Sequence, residues 1–418
     1  MDNTYRKLNT QQTLNVAYFG GSVTVGTGST ANTTGVGDWF SNSWRALTTD
    51  WLEEEYGVDV NPVNGAIGGT GTKYGAYRAV DHLKLASVTP DLVFIDFAVN
   101  DLYDGLNTPE TVSVASRNME TIINTIYEYA PQADIVMVLT GNHNTMSGNV
   151  EFLTREAHKM VAEAYNIPVI DVATPLWDLM CEENGGAPSQ GSAVWKKYVS
   201  DEVHPTDAGY AEYAKTIQAF LKEIFDKKGD NVPESVLNSY KPAETLNTLL
   251  VNPRLDNFDG CTFEADSDAT YTVKASGNNE NPKGALTVAI AGDPAAETKG
   301  ESTFTFKFKG TGLSLWLYTH TAASVGTTVD TGENNEKFVV DSDYITVKVD
   351  GVAVGGDILL TSTGYANHKV VQIKEGMADE EHTVTVTVHA NGQNKANLDF
   401  RYVLIDGDAE RSGIYDVK

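Results

Sequence analysis

The period of the hydrophobic pattern changes once along this chain, near residue 230, and that change limits the possible folds more than any other feature. Before it, short β-rich runs alternate with helical patterns: LNVAYF (14–19), VDVNPVN (58–64), DLVFIDF (91–97), DIVMVLT (134–140) and IPVID (167–171) are the strand candidates. Between them, Phe40, Trp44, Leu47, Trp51 and Leu52 share one helical face, and helix-like stretches lie near 71–86, 109–129 and 150–165. A final helix at about 206–226 keeps Tyr213, Ile217, Phe220, Leu221 and Ile224 on a 3.6-residue spacing. DIVMVLT is continuously apolar, as a strand covered on both faces should be. The alternation predicts an α/β fold, a parallel sheet with helices on both faces, over residues 1–230.

Residues 231–256 read as a linker, with glycine, prolines and mixed charge around the junction. From 257 to 418 the period is two. TFTFKFKG (303–310) sets Phe304, Phe306 and Phe308 on one face, and LSLWLYTH, DYITVKVDG, HTVTVTVHA and FRYVLIDG alternate in the same way. Half-buried strands joined by Gly/Asp/Asn turns predict an antiparallel β-sandwich. In LSLWLYTH the leucines 313, 315 and 317 share a face, which leaves Trp316, Tyr318 and His320 on the other. That aromatic strip is either a sugar-stacking platform, with Trp316 and Tyr318 as the binding residues, or a surface that packs on the first domain.

Charge excludes whole classes of partner. With 57 acidic and 30 basic side chains the net charge is −27, so the chain repels phosphate backbones and anionic membrane surfaces. No apolar run is long enough to span a bilayer as a helix. Cys181 and Cys261 are far apart and read as free thiols, and no CxxC or HExxH pattern calls for a metal. MDNTYRKLNTQQ lacks an apolar leader, so the expected location is cytoplasmic, or secreted if a signal has been trimmed away.

The chemistry gathers at strand ends. The first strand runs into Gly20-Gly21-Ser22-Val23-Thr24, the second into Asn64-Gly65-Ala66-Ile67-Gly68-Gly69-Thr70, and the third ends in Ala98-Val99-Asn100-Asp101. In a parallel open sheet, ligands bind outside the carboxyl ends of strands where the strand order reverses. A hydroxyl, glycine-rich N–H groups and a carboxamide on one such rim are the parts of an acyl-transfer site. Asp201 and His204 lie within one turn of each other, close enough for the carboxylate to orient the imidazole while its other nitrogen faces the serine. Blander readings exist for each piece: a phosphate-cradling loop at 20–22, a tight turn at 68–69, a helix cap at Asn100-Asp101 and a structural histidine before Pro205. The set taken together favours a serine hydrolase. His82, His143, His158 and His320 have no comparable context.

FGGSVTVG, NGAIGGT, AVND and DEVHP, in that order, resemble the four sequence blocks of the SGNH (GDSL-type) hydrolase superfamily, over roughly residues 14–226. The resemblance implies a flavodoxin-like three-layer α/β/α domain with Ser22 as nucleophile, His204 as base and Asp201 as its orienter. It implies an oxyanion hole made of Ser22, Gly69 and Asn100, and no cofactor or metal. Two positions depart from the family pattern: Gly21 stands where aspartate is usual, and Ala98 where glycine is usual. Both resemble variants of the carbohydrate-esterase branches, and the second domain resembles carbohydrate-binding modules. The expected substrate is a short acyl ester, acetyl above all, on a plant-type oligosaccharide. The alternatives are a lipase or lysophospholipase of the same superfamily, and a non-catalytic sugar-binding protein.

Overall fold

The structure is a computed structural model that describes residues 1–30, 40–228, 242, 244–256, 258, 261–265, 269–274, 285–290, 300–321, 328–330, 337–339, 344–362, 367–390, 396–407 and 414–415. They form two compact units, Met1–Leu250 and Val251–Lys418.

The first unit is built on five parallel strands, β1 (Leu14–Gly20), β2 (Val60–Asn64), β3 (Leu92–Asp96), β4 (Asp134–Leu139) and β5 (Val169–Asp171), in the order β2-β1-β3-β4-β5. The chain reverses its direction of travel across the sheet between β1 and β3. Side-chain alternation along β1 sorts the two faces. Val16 and Tyr18 join Trp44, Leu52, Tyr213 and Ile217 in one core, which seats the helices Trp44–Tyr56 and Asp207–Asp226. Phe19 points the other way, its ring 5.1 Å from Phe97, beneath the helix Thr72–His82. Helices thus cover both faces, as the strand–helix alternation predicts.

Local chemistry adjusts the expected boundaries. The helix expected to include Phe40 starts at Trp44, because Ser43 caps it by accepting the Ala46 N–H at 3.3 Å. A helix the periodicity does not reveal, Asp2–Asn9, is anchored by long-range polar contacts: Asp134 accepts the Thr4 N–H and pairs with the N-terminal amine, while Lys7 pairs with Asp91. The described part of the expected linker divides between the units. The Glu120 carboxylate accepts the N–H groups of Leu246 and Asn247, and Arg254–Asp256 pairs as a strand with Ala396–Asp406. Residues 229–241 and 243 lie outside the described residues.

In the second unit, two sheets enclose one core. The strands Val352–Leu359, Tyr344–Val349, Glu380–Ala390, Gly300–Gly310 and Ile414–Tyr415 lie in that order in one sheet. The other runs Thr361–Ser362, Gly312–Thr321, Ala396–Asp406, Ala285–Ile290 and Ala269–Lys274. Pairing is antiparallel except where His320 and Thr321 meet Thr361 and Ser362. Phe304, Phe306, Phe308 and Val384 from the first sheet pack on Leu313, Leu315, Leu317 and Phe400 from the second. The expected leucine face therefore lies inward, and the unit is a β-sandwich.

One expectation fails here. Trp316 is buried, its ring 5.1 Å from Tyr402 and its Nε1–H donated to His368 Nδ1 at 2.8 Å. A covered indole with a satisfied N–H offers no open face to a sugar. The Tyr318 and His320 side chains lie outside the described residues.

Candidate active site

The chain leaves β1 into the short helix Ser22–Val25, which starts directly at the serine. His204 Nε2 lies 2.8 Å from Ser22 Oγ, and His204 Nδ1 lies 2.6 Å from Asp201 Oδ2. The three groups form one hydrogen-bonded series. The other Asp201 oxygen accepts the N–H groups of Val203 and His204, each at 2.8 Å. Partial burial pushes the Asp201 carboxyl up, but its hydrogen bonds from the imidazole and these two amides outweigh that and hold it at about 2. Asp201 is therefore a fixed anion that selects the Nδ1–H tautomer and leaves Nε2 free to accept a proton.

The turn carrying Asp201 and His204 is closed at its base. Ser200 N–H donates to His204 O and Thr206 N–H to Tyr198 O, at 2.8 and 2.9 Å, making an isolated bridge between Val199 and Pro205. The helix Ala193–Tyr198 then supplies Trp195, whose indole N–H donates to Asp201 O at 2.7 Å. His143, which has no catalytic context in the sequence, packs its ring 4.8 Å from that buried indole.

Asn100 lies in the helix Ala98–Tyr103, which follows β3, so it borders the strand-order reversal opposite Ser22. Its carboxamide fills the space beside Gly21, where any Cβ would collide with it. This explains the glycine at a position where the resemblance leads one to expect aspartate: its dihedrals are ordinary, φ −97° and ψ −151°, and only the close approach of Asn100 demands it. The second loop lies against the serine as well, since a Cβ on Gly68 would stand 3.7 Å from Ser22 Cβ. Gly69 follows with φ +70°, a left-handed conformation that favours glycine. Ser22, Gly68-Gly69 and Asn100 thus surround one point on the rim, while Trp316 belongs to the other unit.

Several positioning groups escape a reading by motif. The buried Arg78 donates to Gly20 O and Thr70 Oγ1, each at 3.0 Å, and to Gly65 O, and its guanidinium stands 4.4 Å from the Phe19 ring centre. One side chain thereby ties the ends of β1 and the loop after β2 together. Arg45, also buried, donates from Nε to Thr24 O and from Nη2 to Val25 O, capping the serine helix at its carbonyl end. Asp96 accepts the hydroxyls of Thr24 and Thr140 at 2.9 and 2.8 Å; burial, against those bonds, lifts its carboxyl to about 6. A carboxylate set between the apolar run LVFI and Phe97 is the one sign of it in the sequence. Asp101 accepts from Thr72 and lies 2.9 Å from His158 Nε2, a buried structural pairing away from the serine.

These features together describe an α/β domain whose rim can carry out acyl transfer through a serine. Residues 18–212, within the N-terminal unit, match the model of the GDSL-like Lipase/Acylhydrolase family. That match supports a hydrolase of the esterase class. Its whole fold is similar to that of a two-domain esterase (CEX) active on acetylated mannans, at 19% identity and a TM-score of 0.68, covering 97% of this chain and 95% of that one. A structure of a two-domain esterase (CEX) active on acetylated mannans co-crystallized with mannopentaose matches at 19% identity and a TM-score of 0.67, over 97% and 94% of the two chains. No curated protein matches this chain in sequence. Among the described residues, no cluster of His, Cys, Asp or Glu fits a metal ion, and no helix is long and apolar enough to cross a membrane.

Proposed function

We propose that the first unit is a serine esterase that removes acetyl groups from mannan-type oligosaccharides. The observation that carries the reading is the Ser22–His204–Asp201 series, with 2.8 and 2.6 Å contacts between consecutive groups. Ser22 Oγ attacks the ester carbonyl while His204 Nε2 takes its proton, and Asp201 stabilises the imidazolium. The N–H groups of Ser22 and Gly69 and the Asn100 amide receive the developing oxyanion. Collapse of the tetrahedral adduct breaks the bond to the sugar oxygen, which leaves with the proton from His204. Water then attacks the acetyl-serine with His204 again as base, releasing acetate and restoring Ser22. The groups of the chain suffice for every proton transfer.

Two considerations support the substrate. The similar two-domain esterase acts on acetylated mannans, and the similarity extends over both units. A chain of net charge −27 repels anionic substrates and places no such barrier before neutral sugar esters. The test is release of acetate from acetylated mannan, xylan and pectin oligosaccharides, beside hydrolysis of p-nitrophenyl acetate and octanoate. Preference for acetylated mannan and for the acetate is the expected result. Preference for octanoate, with no acetate released from any glycan, would make the enzyme a lipase-type acylhydrolase.

A further inference from the structure

Among the described residues the two most exposed aromatic residues are Tyr129, 43% exposed, and Tyr103, 51% exposed. Tyr129 ends the helix that leads into β4, at the rim of the sheet remote from Ser22. Tyr103 ends the helix Ala98–Tyr103, one turn past Asn100 and so on the same helical side. Its hydroxyl accepts the Asn142 Nδ2–H at 2.9 Å. Asn142 is itself buried just beyond β4 and locked in a capping box with Thr145. On the other side, His143 N–H donates to Glu202 O at 3.1 Å, which brings the turn of Asp201 and Glu202 next to Asn142. Burial pushes the Tyr103 hydroxyl up to about 12, against the Asn142 hydrogen bond and with the charges of Glu202 and Asp201.

This is the reverse of the usual arrangement, in which a tyrosine buries its ring and leaves the hydroxyl in water. Here the hydroxyl is anchored by Asn142 while half of the residue is exposed. Such a ring has little rotamer freedom left to lose when a ligand covers it. Its π face is electron-rich and suits the C–H face of a sugar ring, and the nearby Asp201 and Glu202 carboxylates disfavour an anion. We propose that Tyr103 is the aromatic platform of a sugar subsite beside Ser22, stacking on a neutral pyranose ring of the oligosaccharide that carries the scissile ester. The proposal rests on the carbohydrate-ester reading above and adds to it a residue that recognises the glycan.

The experiment compares wild type, Tyr103→Ala and Tyr103→Phe on acetylated manno-oligosaccharides and on p-nitrophenyl acetate. Binding of mannopentaose to the same proteins is measured by calorimetry. Tyr103→Ala should raise KM for the oligosaccharide about tenfold more than KM for the small ester, with kcat on the oligosaccharide changed far less. Mannopentaose binding should weaken by a comparable factor, and Tyr103→Phe, which keeps the ring, should recover most of both losses. If wild type hydrolyses the acetylated oligosaccharide and Tyr103→Ala leaves KM and mannopentaose binding unmoved, or shifts both substrates equally, the platform is refuted while the esterase reading stands. If wild type hydrolyses p-nitrophenyl acetate but no acetylated oligosaccharide, the carbohydrate reading fails and the platform fails with it.

Discussion

Asp101 caps a helix to which it does not belong: its Oδ1 accepts the Thr72 backbone N–H at 2.6 Å, at the start of the helix Thr72–His82, whose own N-cap is Gly71. The same carboxylate accepts the Thr72 hydroxyl and meets His158 Nε2 at 2.9 Å, entirely out of water. Replacing Asp101 by alanine leaves buried donors on two helices without an acceptor. Asp101→Ala is therefore expected to lose about 2–4 kcal/mol of stability, and Asp101→Asn, which keeps one acceptor oxygen, distinctly less. Urea denaturation of the pair checks this, and equal losses would show that the carboxylate is not the capping group.

Ser22→Ala should fold like wild type and lose about 10⁴-fold or more in kcat, with residual turnover from the oxyanion donors and binding. Asn100→Ala removes one donor of three and should cost about 10²–10³-fold in kcat. Steady-state kinetics on p-nitrophenyl acetate separates the cases. A rise in KM alone for Asn100→Ala would make Asn100 a ground-state contact.

Asp201 stays ionised down to about pH 2, so activity lost on acidification between pH 7 and 4 is lost with its negative charge intact. Asp201→Asn should fold normally but lose on the order of 10⁴-fold in kcat, because an amide can hold the imidazole in the wrong tautomer. A variant with most of its activity would point to a Ser–His pair oriented by the loop backbone alone.

Arg78→Lys is not a mild exchange. The guanidinium reaches Gly20 O, Gly65 O and Thr70 Oγ1 at once while standing over Phe19, and an ammonium cannot match that spread. Thermal denaturation should show a loss of about 2–3 kcal/mol, and kcat should fall together with kcat/KM because the serine and glycine loops lose their common anchor. Retained kcat in a destabilised variant would make Arg78 a packing residue only.

Burial raises the Asp104 carboxyl to about 8, helped by the neighbouring Asp101 charge, and the Asp96 carboxyl to about 6. Between pH 4 and these values, the folded protein keeps protons that the unfolded chain has released. The stability they contribute is complete below about pH 4 and is lost as pH rises, through about 6 for Asp96 and about 8 for Asp104, at most about 1.4 kcal/mol per pH unit for each group. Denaturation midpoints measured from pH 5 to 9 should therefore decline in wild type. Asp104→Asn should flatten the decline between pH 6 and 8; an unchanged slope would assign it to other groups.

The strands and the Ser22, Asn100, Asp201 and His204 positions are legible in the sequence because their signals are local: a period of two or a run of apolar residues, a turn of glycines, an aspartate three residues before a histidine. Arg78 is not legible, since its partners Gly20 and Gly65 lie 58 and 13 residues away and nothing in YGAYRAVDH marks the arginine as buried. The Asp101–His158 pair is hidden for the same reason. Trp316 misleads in a different way. Alternation tells which residues share a face but not whether that face is covered, and Tyr402 and His368 cover this one.

The turn between Val199 and Pro205 is pinned at both ends and contains the acid and the base together. Any displacement of this turn carries Asp201 and His204 as one body, so the contact between them is blind to it. The whole excursion appears in the gap to Ser22, which lies 182 residues earlier in the sequence. Readiness for attack is therefore a single coordinate, and a spectroscopic ruler spanning residues 22 and 204 would report it, whereas one placed between 201 and 204 would stay silent.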